Sequence, residues 1–101
     1  MEKIAFVNLG FDNHVPVARI SAVVRPDSQP IRRLITQAKD NNMLVDVTRN
    51  RPTRAVIVLD DGHIVTSASA PSTILERIRV PKVYAGGKEL VEDESGTEEK
   101  A

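Results

Sequence analysis

Apolar positions recur along this chain with two periods, and the switches between them mark its elements. Ile4 to Leu9 (IAFVNL) is dense in strand formers, and Asn8-Leu9-Gly10-Phe11-Asp12-Asn13 supplies residues that favour turns and tolerate positive φ. Val15 to Val24 (VPVARISAVV) resumes strand composition. Ala18, Ile20, Ala22 and Val24 fall on a uniformly apolar face, and Val17, Arg19, Ser21 and Val23 on the other, which directs Arg19 and Ser21 away from the core. Pro26-Asp27-Ser28-Gln29-Pro30 then breaks the pattern and opens a helix. Ser28 can cap free amides, and a proline in the first turn forfeits no intrahelical hydrogen bond. Ile31, Leu34, Ile35 and Ala38 follow at helical spacing as one stripe, which Asn41-Asn42 ends.

After a short Met43 to Val47 segment and an arginine-rich stretch, the unbroken apolar run Ala55 to Leu59 reads as a central strand covered on both faces. Asp60-Asp61-Gly62 turns the chain into His63 to Ser67, with Asp61-Gly62 suited to a type I′ hairpin. Pro71 opens a second short helix whose apolar side is Ile74, Leu75 and Ile78. The elements predict an α/β chain of the α+β kind, a small antiparallel-rich sheet with two short helices. The domain is expected to span residues 1–81. Residues 82–101 form an acidic extension in which Gly86-Gly87 can turn a small hairpin and the last ten residues have too little apolar surface to stay ordered. No internal repeat or heptad pattern is present.

Composition sharpens the picture in two ways. The chain of 101 residues has no cysteine and only three aromatic residues, Phe6, Phe11 and Tyr84, so it offers neither thiolate chemistry nor an aromatic platform for stacking bases. The net charge of zero also hides an asymmetry. Residues 1–81 carry +3 and residues 82–101 carry −3, and nine of the eleven bases in the first part are arginine, whose planar fork suits phosphate or carboxylate. MEKIAFVNLGF lacks the pattern of a secretion leader, and no stretch reaches the roughly 20 apolar residues of a membrane span. A cytoplasmic location without membrane contact is expected.

Catalytic chemistry finds little material. His14 and His63 are far apart in sequence with no metal-ligand spacing. Asp60-Asp61 before Gly62 suits a turn, and Thr66, Ser67 and Ser69 have no identifiable base. No enzyme, cofactor or metal is expected. The arginines remain. Arg49, Arg51 and Arg54 lie within six residues around Pro52 and admit two readings, a phosphate clamp or surface cations paired with Asp46, Asp60 or a neighbouring chain. Arg19 likewise reads either as edge protection or as a binding residue. Arg32 and Arg33, in the first turns of a helix whose dipole disfavours cations, read as a solvated face or as partners of an anion.

Taken in order, Asn8-Leu9-Gly10-Phe11-Asp12-Asn13, Arg19-Ile20, Pro26 to Arg33, Leu44-Val45-Asp46-Val47-Thr48 and Thr53-Arg54-Ala55-Val56-Ile57 resemble the RemA family of extracellular matrix regulatory proteins, from about Lys3 to Ile78. The resemblance implies a DNA-binding transcriptional regulator with a fold similar to LytTR-type domains. It also implies assembly into a ring-shaped homo-oligomer and control of genes for biofilm matrix and osmoprotection. Carried over by position, it assigns DNA contact to Arg19 and Arg51, with Arg49 and Arg54 beside them, and makes double-stranded DNA and further copies of the chain the expected partners. The family pattern T-Y-G-R-R-T-R-A reads Thr48-Arg49-Asn50-Arg51-Pro52-Thr53-Arg54-Ala55 here, so proline stands where the pattern has its second arginine. Removing one phosphate contact lowers the salt slope of duplex binding by about 0.9. The alternative expectation is an assembly module whose arginine loop forms intersubunit salt bridges without nucleic acid. The acidic tail reads either as a soluble tail or as a tethered anion that competes with DNA for the arginine loop.

Overall fold

The strands divide between two four-stranded sheets. In the computed structural model, which describes residues 3–85 and 88–90, β1 (Lys3–Asn8), β2 (His14–Pro16), β7 (Lys82–Ala85) and β8 (Lys88–Leu90) form one sheet in the order β2-β1-β7-β8. The second contains β3 (Ile20–Val24), β4 (Leu44–Asp46), β5 (Ala55–Leu59) and β6 (Ile64–Ser67) in the order β3-β5-β6-β4. Helices α1 (Gln29–Asp40) and α2 (Pro71–Arg79) complete a small antiparallel-rich α+β fold. Among the described residues the only parallel pair is β4 with β6. It follows from topology: β3 and β4 run the same way at opposite edges of their sheet, so the connection between them must cross over, and α1 supplies that crossover.

Strand β5 is the centre of the packing, as its unbroken apolar run predicts. Ala55 and Ile57 join Val7, Leu9, Val47, Val65 and Ile74 on one face, and Val56 joins Ala38 and Ile64 on the other. Ala55, Val56 and Ile57 are all fully buried, and complete burial of a valine or isoleucine side chain stabilises by about 1.5–3 kcal/mol. Helix α1 begins as expected, with the Ser28 hydroxyl accepting from Ile31 N and Pro30 in the first turn. It lays Ile31, Leu34, Ile35 and Ala38 over the second face. The first face is covered by the β1–β2 hairpin and α2.

Three local expectations are corrected. Val15 to Val24 is not one strand. After β2 the chain makes a 3-10 turn, Val17–Arg19, before β3, because Pro16 has no amide to extend the ladder and β2 and β3 belong to different sheets. Arg19 therefore sits in a turn. Ala18 is exposed, while Val17 and Val23 pack on the first core and an irregularity between Ile20 and Ala22 resets the alternation. The β5–β6 hairpin is not type I′ at Asp61-Gly62. Gly62 N donates to Leu59 O at 3.1 Å, and only Gly62 has positive φ, +96°, the form of a type I turn closed by a glycine bulge. In α2, Ile74 is buried but Leu75 is 56% exposed, since a two-turn helix reaches the core along a narrow stripe. Strand β7 pairs with β1 from Lys82↔Phe6 to Ala85↔Lys3. Ala85↔Lys88 closes the β7–β8 hairpin; Gly86, Gly87 and the acidic residues 91–101 lie outside the described residues.

The two sheets are tied by Ser67, the last residue of β6. Its buried hydroxyl donates to the Leu9 carbonyl and accepts from Ser69 N at 3.0 Å. From α2, Arg77 Nη1 donates to the Asn8 carbonyl at 3.0 Å and reaches Ser69 Oγ at 3.3 Å. Ser67→Ala leaves the Leu9 carbonyl and the Ser69 amide without these partners, and a loss of about 1–3 kcal/mol in urea unfolding is expected. Thr36→Ala, which removes an exposed hydroxyl bonded to the Arg32 carbonyl, serves as the control with a change within about 0.5 kcal/mol.

Candidate nucleic-acid interface

The arginine loop leaves β4 at Asp46 and enters β5 at Ala55, and both ends are pinned. Asp46 Oδ1 accepts from Thr48 N at 2.9 Å, Thr48 Oγ1 at 2.7 Å and Thr66 Oγ1 at 3.1 Å, so a single carboxylate oxygen joins β4, the loop and β6. Val47 N donates to Thr66 O, and Arg54 N to Ser67 O at 2.8 Å. Between these anchors Arg51 N donates to Thr48 O at 3.1 Å, with Arg49 at φ 53° and Asn50 at φ 66°. Positive φ at both central residues gives the turn its type I′ character.

A second turn of the same kind stands beside it. Asn13 N donates to Gly10 O at 3.0 Å, and Phe11 and Asp12 lie at φ 52° and 68°. Asn8 Oδ1 accepts from Gly10 N, and Asn13 Nδ2 donates to Gly10 O, both at 2.8 Å, so side chains at each end brace the turn. Gly10 has φ +131°, and a β-carbon there would meet Ser67 Oγ, Ser69 Oγ and the Val47 carbonyl at 3.7–3.9 Å. The backbone of one turn thus lies directly against the root of the other. Phe11, 43% exposed, has the Arg49 and Arg51 guanidinium carbons 5.1 and 5.5 Å from its ring centroid. Exposed cation–π contacts of this kind are worth about 0.5–1 kcal/mol each.

The four arginines singled out from sequence fall into three places. Arg49 and Arg51 are brought together. Arg54 lies beyond Pro52 and lines an open cleft of about 530 Å³ with Arg25, Pro26, Asp27, Thr53 and Pro71. Arg19 is elsewhere: its Nε pairs with Asp60 Oδ1 at 2.9 Å, with both side chains about half exposed, which makes the pair a weak contributor. Arg54 precedes β5 and Asp60 follows it, so six strand steps, about 20 Å, separate the two ends. Arg49, Arg51 and Arg54 form no ion pair among the described residues, whereas Arg25 pairs with Asp27. Arg32 and Arg33 lie on the exposed face of α1 beside Gln29 and Thr36.

Sequence reasoning misses Phe11 as a member of this site. Its turn is legible, but its contact is with Arg49 and Arg51, far along the chain, which no local pattern reports. The histidines do not converge on chemistry. His63 Nδ1 lies 2.9 Å from Asp61 Oδ2 and His14 Nδ1 is 3.2 Å from the Asp12 carbonyl, and among the described residues no group of three or more metal-ligating side chains forms. No helix among the described residues is long and apolar enough to cross a membrane.

The described residues form a small α+β fold that carries a braced arginine loop. The chain belongs to the RemA-like family, described as extracellular matrix regulatory protein A-like, whose sequence model matches residues 6–78. It is similar to regulatory proteins of Rippkaea orientalis (49% identical over 82 residues, 81% of this chain and 92% of the relative) and Dictyoglomus thermophilum (56% over 72 residues, 71% and 85%). A regulatory protein of Heliobacterium modesticaldum is 43% identical over 89 residues, 88% of this chain and 98% of its own length. The role that family membership supports is accordingly regulatory.

The Asp46 anchor makes the loop acid-sensitive. The bonds from the Thr48 side chain and backbone, and from Thr66, hold its carboxyl below the ordinary 3.8, against a smaller opposing effect of burial. Above that ordinary value the carboxylate is ionised both folded and unfolded and its stabilisation is complete. The stabilisation is lost as pH falls below 3.8 and through the lower folded value. Asp46→Asn keeps an acceptor oxygen but does not titrate. Urea midpoints measured at about pH 7 and about pH 3 should therefore fall less between the two in this variant than in the wild type.

Proposed function

We propose that this protein is a DNA-binding transcriptional regulator that works as a ring-shaped homo-oligomer, with a core similar to LytTR-type domains and control of matrix genes as its role. The observation that carries the reading is the Arg49–Arg51 pair, two guanidiniums held on one aromatic ring and free of carboxylate partners among the described residues. Two like charges placed together on a braced loop are expensive unless an anion faces them, and repeated phosphates are such an anion. Arg54 extends the cationic track toward Arg25. Arg19 contributes a separate contact, reached from the other end of β5.

Assembly completes this reading, because three or four cations per chain bind DNA weakly at physiological salt, whereas linked sites raise the effective concentration without new contacts. Leu75 and Val80, 56% and 65% exposed, offer apolar surface for contact between copies. The same surface supports a second reading, an assembly module whose arginines bridge subunits and whose partner is only itself.

Fluorescence anisotropy of a long duplex over a salt series separates the two, with oligomer mass measured in parallel. The regulator reading expects binding with a steep salt slope. Arg49→Ala and Arg51→Ala should each lower that slope by about 0.9 for every phosphate the missing guanidinium would have neutralised, with the mass unchanged. A folded oligomer that ignores DNA at low salt, and whose mass falls in the same variants, supports the assembly module instead.

A further inference from the structure

Among the described residues five non-glycine positions have positive φ; Asp12, Asn42 and Asn50 are of the types that adopt this conformation readily, but Phe11 and Arg49 are not. Each occupies the first central position of a type I′ turn, where glycine or asparagine is the undemanding choice. These two strained residues are also the ones that touch across the loops, with Arg51 on the same ring. Strain persists where the surroundings impose it, and it concentrates at functional sites. Nothing in the packing needs the ring there, since 43% of Phe11 faces solvent and it belongs to neither buried cluster.

We propose that Phe11 is a positioning residue of the anion site: its ring holds the Arg49 and Arg51 guanidiniums together so that the pair is presented ready-made to the phosphodiester backbone of double-stranded DNA. The proposal rests on the DNA-binding reading. Two free guanidiniums on exposed loop side chains repel each other and sample many rotamers, so binding them to one anionic strand means ordering both. The negative face of the ring attracts both and removes part of that cost in advance. Phe11 itself carries no charge, so its effect lies in affinity at any one salt concentration and not in the number of counterions released.

Phe11→Asn tests the idea in the full-length protein, because asparagine relieves the strained turn and removes the ring while leaving every cation in place. The expected result is a thermal midpoint equal to or above that of the wild type, duplex affinity weaker by about tenfold and an unchanged salt slope. Phe11→Tyr should bind within about twofold of the wild type, and Phe11→Leu, apolar but without a π face, should behave like Phe11→Asn. Side-chain NMR gives a readout free of DNA: ring-current shifts of the Arg49 and Arg51 δ and ε protons, present in the wild type and abolished in Phe11→Asn. If Phe11→Asn or Phe11→Leu binds DNA as the wild type does, the positioning role is overturned and DNA recognition stands. If the ring-current shifts are present but the wild type ignores DNA at low salt, the clip stands as structure and its nucleic-acid function is overturned.

Discussion

The Ser67 hydroxyl is the hinge on which the site depends. It sits at the end of β6, fully buried, and accepts from one backbone group while donating to another. Through the Leu9 carbonyl it draws the β1–β2 hairpin onto the second sheet, and through Ser69 it shapes the approach to α2. Residues 67 and 55 are also partners in the β5–β6 ladder, and Ser67 O receives Arg54 N, so the same residue closes the arginine loop. A buried hydroxyl with both roles satisfied fixes position more sharply than apolar contact, because displacing it strands several polar groups together. The meeting of the two turns follows from that fixed point.

Asp46 performs the corresponding task on the other side of the loop. Three donors converge on one oxygen of a carboxylate that is otherwise open to solvent, so the loop's root is set by hydrogen bonding and its tip is left to the charges it carries. The division is useful for a binding surface. The backbone of Thr48 to Arg51 is held in a single turn, while the guanidiniums project beyond it onto Phe11. A rigid root with exposed cationic ends is the arrangement on which the proposed DNA-binding reading rests.

Much of this is legible from residue order where the governing interactions are local. The Ser28 cap, the stripe from Ile31 to Ala38 and the two-sided burial of β5 all follow from spacing and residue type, and the structure has them as expected. What escapes is non-local. Pro16 is the one local sign of a break in VPVARISAVV, but it does not show that the two halves pair in different sheets, so the apolar pattern puts Arg19 in a strand although it lies in a 3-10 turn. Asp61-Gly62 resembles a type I′ signal, but the chain uses one more loop residue and takes a glycine bulge. The true type I′ turns carry Phe11 and Arg49 at positions that propensity alone would give to glycine or asparagine. Their conformation answers to each other, and to the sheets that bring them together, more than to their own sequence.

By the resemblance, Pro52 stands where the family pattern has an arginine, and Arg49, at the pattern's aromatic position, is the residue that can restore the charge. In the fold Arg49 lies on the same ring as Arg51. The pattern T-Y-G-R-R-T-R-A has three arginines, and Thr48 to Ala55 also has three, with Arg49 occupying the aromatic position. Arg49 at the first central position of the turn and Arg51 at its last meet the same ring, so two guanidiniums are adjacent in space. Pro52 then fixes the backbone between Arg51 and Arg54 with a residue that needs no hydrogen-bond partner. The arginine count of the stretch is unchanged. In this chain the geometry of the pair is referred to Phe11.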